Sequence, residues 1–312
     1  MTGHPTPASL PPPIPASAPP TGARTYRLRT SRGEFAVVDV PPADEVEPKG
    51  VVLALPGFTG SKEDFTLLHG PLAARGYRSV AVDGRGQYES DGPADDESAY
   101  AQAELARDVL AQAEALGAAA PLHLVGHSLG GQIARAAVLE DHSPFRSLTL
   151  ISSGPARISV SQEQRVKLLR DALDQMSMAQ CWEAILAMGP PEEVGGPARG
   201  LGGQEHLRRR WLATRPAQLL ATGRQLCTEP DRVAELAAVP LPFHVLSGAH
   251  DDAWPVPDLD AMAARLNAHR TVVVGAEHSP NVDRPSPTAH ALAAFWDRLH
   301  DEDDGNGTLH HG

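Results

Sequence analysis

A serine flanked by glycines, in Gly126-His127-Ser128-Leu129-Gly130, follows an apolar run at 122–125 and precedes an Ala-rich amphipathic stretch. At a strand-to-helix junction such a serine occupies a sharp turn with strained backbone angles. Flanking side chains there would strike the neighbouring strand or helix. The turn lifts the hydroxyl above the sheet and aims the first amides of the following helix at whatever binds. Ser128 is therefore a candidate nucleophile; the plainer reading is a Gly-rich turn with an idle hydroxyl.

A serine hydroxyl needs a base, and the base needs an orienting carboxylate. Two later apolar runs, at 243–247 and 271–274, lead into Gly248-Ala249-His250-Asp251-Asp252 and Gly275-Ala276-Glu277-His278-Ser279-Pro280. His278 is the candidate base. His127 adjoins the serine but should point away from it, His244 lies within a strand, and His250 precedes the acid. Asp251, four residues before Pro255, is preferred as the acid over its neighbour Asp252. The reacting carbonyl also needs backbone donors for its developing charge. Leu129, directly after the serine, supplies one. Phe58, in the turn Pro56-Gly57-Phe58-Thr59-Gly60 after the apolar run at 51–55, supplies the other.

These residues need a frame. The apolar runs at 51–55, 78–82, 122–125, 148–151, 243–247 and 271–274 lack polar alternation. That is the pattern of strands covered by helices on both faces. Segments near 26–30 and 35–40 predict a leading hairpin. Between the runs, helical spacing aligns Leu105, Val109, Ala113 and Leu116 up to a stop at Gly117, then Leu259, Met262, Ala263 and Leu266, and finally Leu292, Phe295, Trp296 and Leu299. Strand and helix in alternation predict an α/β fold: a three-layer, mostly parallel β-sheet. The carboxyl edge of such a sheet is where sites form.

From about 155 to 239 the alternation breaks and only helical patterns remain. Residues 156–235 are read as an inserted helical cap over one end of the sheet, the alternative being ordinary crossover helices. The core then comprises 23–155 and 236–301 as one discontinuous domain. The Pro-rich residues 1–22 and the acidic, Gly-containing residues 302–312 are expected to be disordered tails.

A 41% hydrophobic share over 312 residues suffices for a sizeable core. A net charge of −12 argues against a nucleic-acid partner, which needs clustered Lys and Arg. No apolar run reaches membrane-spanning length. The N-terminus lacks a secretory pattern, and Cys181 and Cys227 fit reduced thiols in a cytoplasmic protein. Neither cysteine nor any histidine pair has metal-ligand spacing, so no metal and no cofactor are expected.

With "LPGFTGS", "DGRGQYESDG", "GHSLGG", "GAHDDAWP" and "GAEHSP" in this order, the chain resembles the α/β-hydrolase fold superfamily of esterases, lipases and peptidases, in its cap-bearing form. The resemblance implies a Ser128–His278–Asp251 triad, an oxyanion hole at Phe58 and Leu129, and an acyl-enzyme on Ser128 that water hydrolyses. Two departures stand out. Pro56-Gly57 replaces the His-Gly that many relatives carry, and Gln87-Tyr88-Glu89 fills the middle of a loop that often reads DxRGxGxSD. A serine nucleophile disfavours the dehalogenase and epoxide hydrolase branches, which use a carboxylate.

The function expected is a carboxylesterase acting on a small or medium acyl substrate. Amide, lactone or carbon–carbon bond hydrolysis, perhydrolysis and acyl transfer are the alternatives on the same triad; a ligand-binding receptor with little turnover is the alternative of another class. Trp182 and Met188 in the cap, and Trp254 after the acid, are candidate pocket residues, with packing of the cap's own core the default for the first two. Arg208, Arg209 and Arg210 are read mainly as a solvated charged face, or else as a site for a substrate carboxylate.

Overall fold

The computed structural model describes residues 22–117, 121–188 and 203–307. Its strands are β1 (Arg24–Thr30), β2 (Gly33–Val40), β3 (Gly50–Leu55), β4 (Tyr77–Val82), β5 (Leu122–His127), β6 (Phe145–Ile151), β7 (Phe243–Gly248) and β8 (His269–Val273). They form one sheet in the order β1-β2-β4-β3-β5-β6-β7-β8. The leading hairpin pairs antiparallel, with Leu28 opposite Phe35, and β2 is antiparallel to β4. The remaining pairings are parallel, so β3 to β8 all present their carboxyl ends at one edge.

The uninterrupted apolar character of the parallel strands has a direct cause. Successive side chains point to opposite faces, and both faces are covered. Leu53 and Leu55 of β3 join Leu124, Leu150 and Val245 beneath α2 (Gln102–Leu116), α3 (Leu129–Glu140) and α9 (Val256–Arg265). Val52 and Ala54 of the same strand join Val125, Ile151 and Leu246 beneath α1 (Thr66–Ala73) and α11 (Pro285–Gly307). Helix α2 stops where the sequence predicts: Gly117 takes φ 55°, a left-handed cap that favours glycine. The last helix departs from expectation. It continues through Gly307, into the stretch read as a loose tail, because each residue added to a packed helix gains a backbone bond once nucleation is past. Residues 1–21 and 308–312 lie outside the described residues.

The chain between β6 and β7 is helical: α4 (Val160–Leu173), α5 (Met178–Met188), α6 (Gly203–Ala213), α7 (Pro216–Thr228) and α8 (Val233–Ala237). Short α10 (Pro280–Asp283) follows β8. Cys181, Trp182, Trp211 and Leu219 form a small core among these inserted helices, with Phe58 of the sheet edge packed against it.

One buried cation ties both crossings between sheet and cap. Arg135 of α3 donates to the carbonyls of Gly154 and Pro155 at 3.2 and 2.9 Å, where the chain leaves the sheet. It also pairs at 2.7 Å with Glu229, just after α7. Gln102 donates to the second Glu229 oxygen at 2.9 Å, and the Glu229 carbonyl accepts from the Arg157 amide. Removing one partner of a buried pair leaves the other charge uncompensated, at about 3–5 kcal/mol. Arg135→Met is therefore expected to lower the unfolding free energy from denaturant titration by that amount, with much of the loss recovered in Arg135→Met/Glu229→Leu. A double variant no more stable than the single one would show that the pair is not what holds the junction.

Candidate active site

The turn between β5 and α3 carries Ser128 at φ 53° and ψ −120°, a conformation that non-glycine residues rarely adopt. The fold holds it there. The Ser128 amide donates to the Ile151 carbonyl of β6, and the Ser128 carbonyl accepts from Gly131. Both flanking glycines are dictated by space. A Cβ on Gly126 would run into the Gly130 carbonyl, and one on Gly130 into the carbonyls of Leu55 and Pro56.

Two strand ends bring the partners. After β8, His278 presents Nε2 to Ser128 Oγ at 3.1 Å. After β7, Asp251 accepts at Oδ1 from His278 Nδ1 at 2.9 Å. The carboxylate favours the imidazole proton on Nδ1, which leaves Nε2 as an acceptor facing the serine hydroxyl. Asp251 is itself aimed by backbone: its Oδ1 accepts from the amides of Ala253 and Trp254 at 2.9 and 3.0 Å. Its side chain has no solvent exposure. Asp252 is exposed, and its carbonyl accepts from the Ser159 hydroxyl at the start of the cap.

Leu129 is the first residue of α3, whose opening amides have no acceptor within the helix. Phe58 lies in the turn after β3, and that turn approaches Ser128: a Cβ on Gly57 would come within 3.4 Å of Ser128 Cβ. The Phe58 ring extends the other way, towards the cap helices, where it lies 3.2 Å from a Cβ placed on Gly223.

Trp254 and Trp182 are both 2% exposed. Trp254 lies beside His278, its ring stacked 6.1 Å from the His278 ring and its Nε1 donating to the Ala156 carbonyl. Trp182 belongs to the cap's own core. Met188 ends α5, and its side chain lies outside the described residues. Of the three arginines in α6, Arg210 turns inward to Asp64 at 2.7 Å and Ser61 at 3.3 Å, joining cap to sheet edge. Arg208 is half-buried and Arg209 exposed.

Two contacts escaped the sequence reading. His127, beside the serine, donates from Nε2 to the His278 carbonyl at 3.0 Å, pinning the loop that carries His278. Burial, and secondarily the neighbouring His278, push its pKa down to about 4, so it stays neutral. Gln87 reaches the Gly57 carbonyl at 2.8 Å. Its loop is anchored by Lys62, whose Nζ meets Asp83 at 2.8 Å and Glu89 at 2.6 Å. Burial works against the Lys62 ammonium, but Asp83 and Glu63 outweigh it and raise its pKa above the ordinary lysine value. The only signal in the sequence was the departure of 87–89 from the family pattern.

A mostly parallel sheet with helices on both faces, and a serine on a strained strand-to-helix turn, define an α/β-hydrolase. Comparison with known proteins agrees. A profile of the alpha/beta hydrolase family matches residues 51–291, and the chain belongs to that family. It is 30% identical over 259 residues to the pimeloyl-[acyl-carrier protein] methyl ester esterase of Aeromonas hydrophila, covering 76% of this chain and 96% of that one. It is 28% identical over 179 residues to a 2-succinyl-6-hydroxy-2,4-cyclohexadiene-1-carboxylate synthase of an Enterobacter species, covering 54% and 64% of the two chains. A thermophilic esterase from Thermogutta terrifontis superposes with a TM-score of 0.69 at 20% identity, covering 89% of this chain and all of that one. Among the described residues, no helix is long and apolar enough to cross a membrane.

Proposed function

We propose that this hydrolase is a serine carboxylesterase that cleaves small or medium acyl esters through an acyl-enzyme. The hydrogen-bonded line from Ser128 Oγ through His278 to Asp251 is the observation that carries the reading. His278 Nε2 takes the hydroxyl proton as Ser128 Oγ attacks the ester carbonyl. The oxyanion formed is met by the Phe58 and Leu129 amides, with the positive end of the α3 dipole behind them. His278 then returns the proton to the leaving alkoxide. Water, deprotonated at the same nitrogen, attacks the acyl carbon, and Ser128 recovers its proton as the acid departs. The ester named for the Aeromonas relative supports this bond type. Residues 156–235 would close over the acyl group, and the unpaired Cys181 and Cys227 fit a cytoplasmic setting.

Incubation with a fluorophosphonate probe, followed by a panel of p-nitrophenyl esters of increasing acyl length, tests the proposal. Rapid labelling of Ser128 with turnover of the shorter esters is expected. Folded protein that is neither labelled nor active would overturn it.

The acid can be tested separately. Asp251→Asn leaves the geometry but favours the wrong imidazole tautomer, and kcat is expected to fall about 10⁴-fold. Asp252→Asn, altering an exposed side chain, should stay within about threefold of the parent. The opposite ranking would transfer the role to Asp252.

A further inference from the structure

We propose that Gln87 is a positioning residue for the oxyanion hole; the proposal rests on the serine-hydrolase reading above. Its side-chain amide bridges two loops. Nε2 donates to the Gly57 carbonyl at 2.8 Å, and Oε1 accepts from the Gly84 amide at 3.0 Å. The Gly57 carbonyl and the Phe58 N–H are opposite ends of one planar trans peptide unit, so they point in opposite directions. A group that fixes the carbonyl therefore aims the N–H.

Glycine on one side leaves this unit little hindered against rotation. Two bonds to the same oxygen oppose such a flip: the Gly60 amide at 3.1 Å within the turn, and Gln87 from outside it. A carbonyl that accepts a strong bond also polarises its peptide, which makes the N–H at the other end a better donor.

Gln87 can serve as this clamp because it is itself immobile. It is 6% exposed. Its amide donates to the Gly84 carbonyl, and its own carbonyl accepts from Ser90. The flanking loop is held to Lys62 through Asp83 and Glu89. The side chain must accept at one end and donate at the other. A carboxylate has no donor for Gly57, and a thioether has neither function. The interaction supports the oxyanion donor without touching substrate, so its loss should appear in the transition state and not in ground-state binding.

The test compares Gln87→Met and Gln87→Glu, both close to glutamine in length, with the parent enzyme. Rates on p-nitrophenyl butyrate are normalised to the fraction titrated by a fluorophosphonate, and inhibition by an alkyl boronic acid, whose tetrahedral adduct mimics the oxyanion, is measured alongside. In both variants kcat should fall roughly 10- to 100-fold, less than or about equal to deletion of an oxyanion donor. KM should change little, and boronic acid affinity should weaken by about the same factor as kcat/KM. A purely structural role would lower the titratable fraction and leave these ratios alone. If one variant does not fold, the other carries the test. Parent enzyme that is labelled and active, with variants within twofold of it in kcat/KM or with unchanged boronic acid affinity, overturns the role of Gln87. Parent enzyme that is folded but neither labelled nor active overturns the serine-hydrolase reading, and this proposal with it.

Discussion

Ser128→Ala is expected to lose about six orders of magnitude in kcat on p-nitrophenyl esters, the scale seen when a serine nucleophile acting in concert with its base is removed. His278 would have no hydroxyl to deprotonate, and only the amide donors would remain. A residual rate within tenfold of the parent would place the nucleophile elsewhere. The same position yields a stability test. At φ 53° and ψ −120° the serine backbone is strained by its Cβ, a burden of roughly 1–3 kcal/mol for residues so placed. Ser128→Gly and Ser128→Ala both lack the hydroxyl and differ only in that Cβ. The glycine variant should therefore have the higher melting temperature of the two, despite the entropy glycine loses on folding. The reverse order would mean that the turn stores no strain. If the order holds, the fold gives up stability in order to present a hydroxyl.

The second large effect concerns acid. Four histidines are buried with their pKa values pushed down by loss of hydration. His69 and His127 fall to about 4, His123 to about 3, and His244 to well below its ordinary value. The hydrogen-bond partner of each ring is neutral. His69 meets the Ser79 hydroxyl, His123 the Ser147 hydroxyl, His127 a backbone carbonyl and His244 the Thr271 hydroxyl. In the unfolded chain these rings titrate near 6.5. Between that value and about 4 the unfolded state binds more protons than the native state, so stability falls as pH falls through this window. It is fully present above about pH 7. At pH 5 each of the three rings lowered to about 3 or 4 favours unfolding by about 2 kcal/mol, about 6 kcal/mol together, with His244 acting in the same direction; this is comparable with the whole stability of an ordinary domain. Thermal denaturation from pH 8 to pH 5 should show a fall on the order of 10–20 °C. A melting temperature constant over that range would show that these rings are charged or hydrated in the native state.

The fold was legible because each parallel strand is apolar on both faces: Val52 and Ala54 serve one core, Leu53 and Leu55 the other. The candidate site was legible wherever chemistry follows a strand end directly, as at Ser128 after β5, Asp251 after β7 and His278 after β8. What stayed hidden depends on apposition across distant stretches of chain. The amide of Gln87 meets a carbonyl contributed by Gly57, and the ring of His127 meets one contributed by His278. Backbone acceptors have no sequence signature, so such bonds cannot be read from residue types. Trp254 is a related case. Adjacency to the acid suggests a pocket wall, but its indole fills space beneath the imidazole and is bonded to the chain entering the cap.

The guanidinium clamp at the sheet–cap boundary has a consequence for recombination. Arg135 grips Gly154 and Pro155 on one crossing and Glu229 on the other. A foreign lid spliced in between 157 and 228 would inherit both anchor points and seat itself on the host scaffold. Splice sites chosen a few residues further out would discard them and strand a cation in the interior.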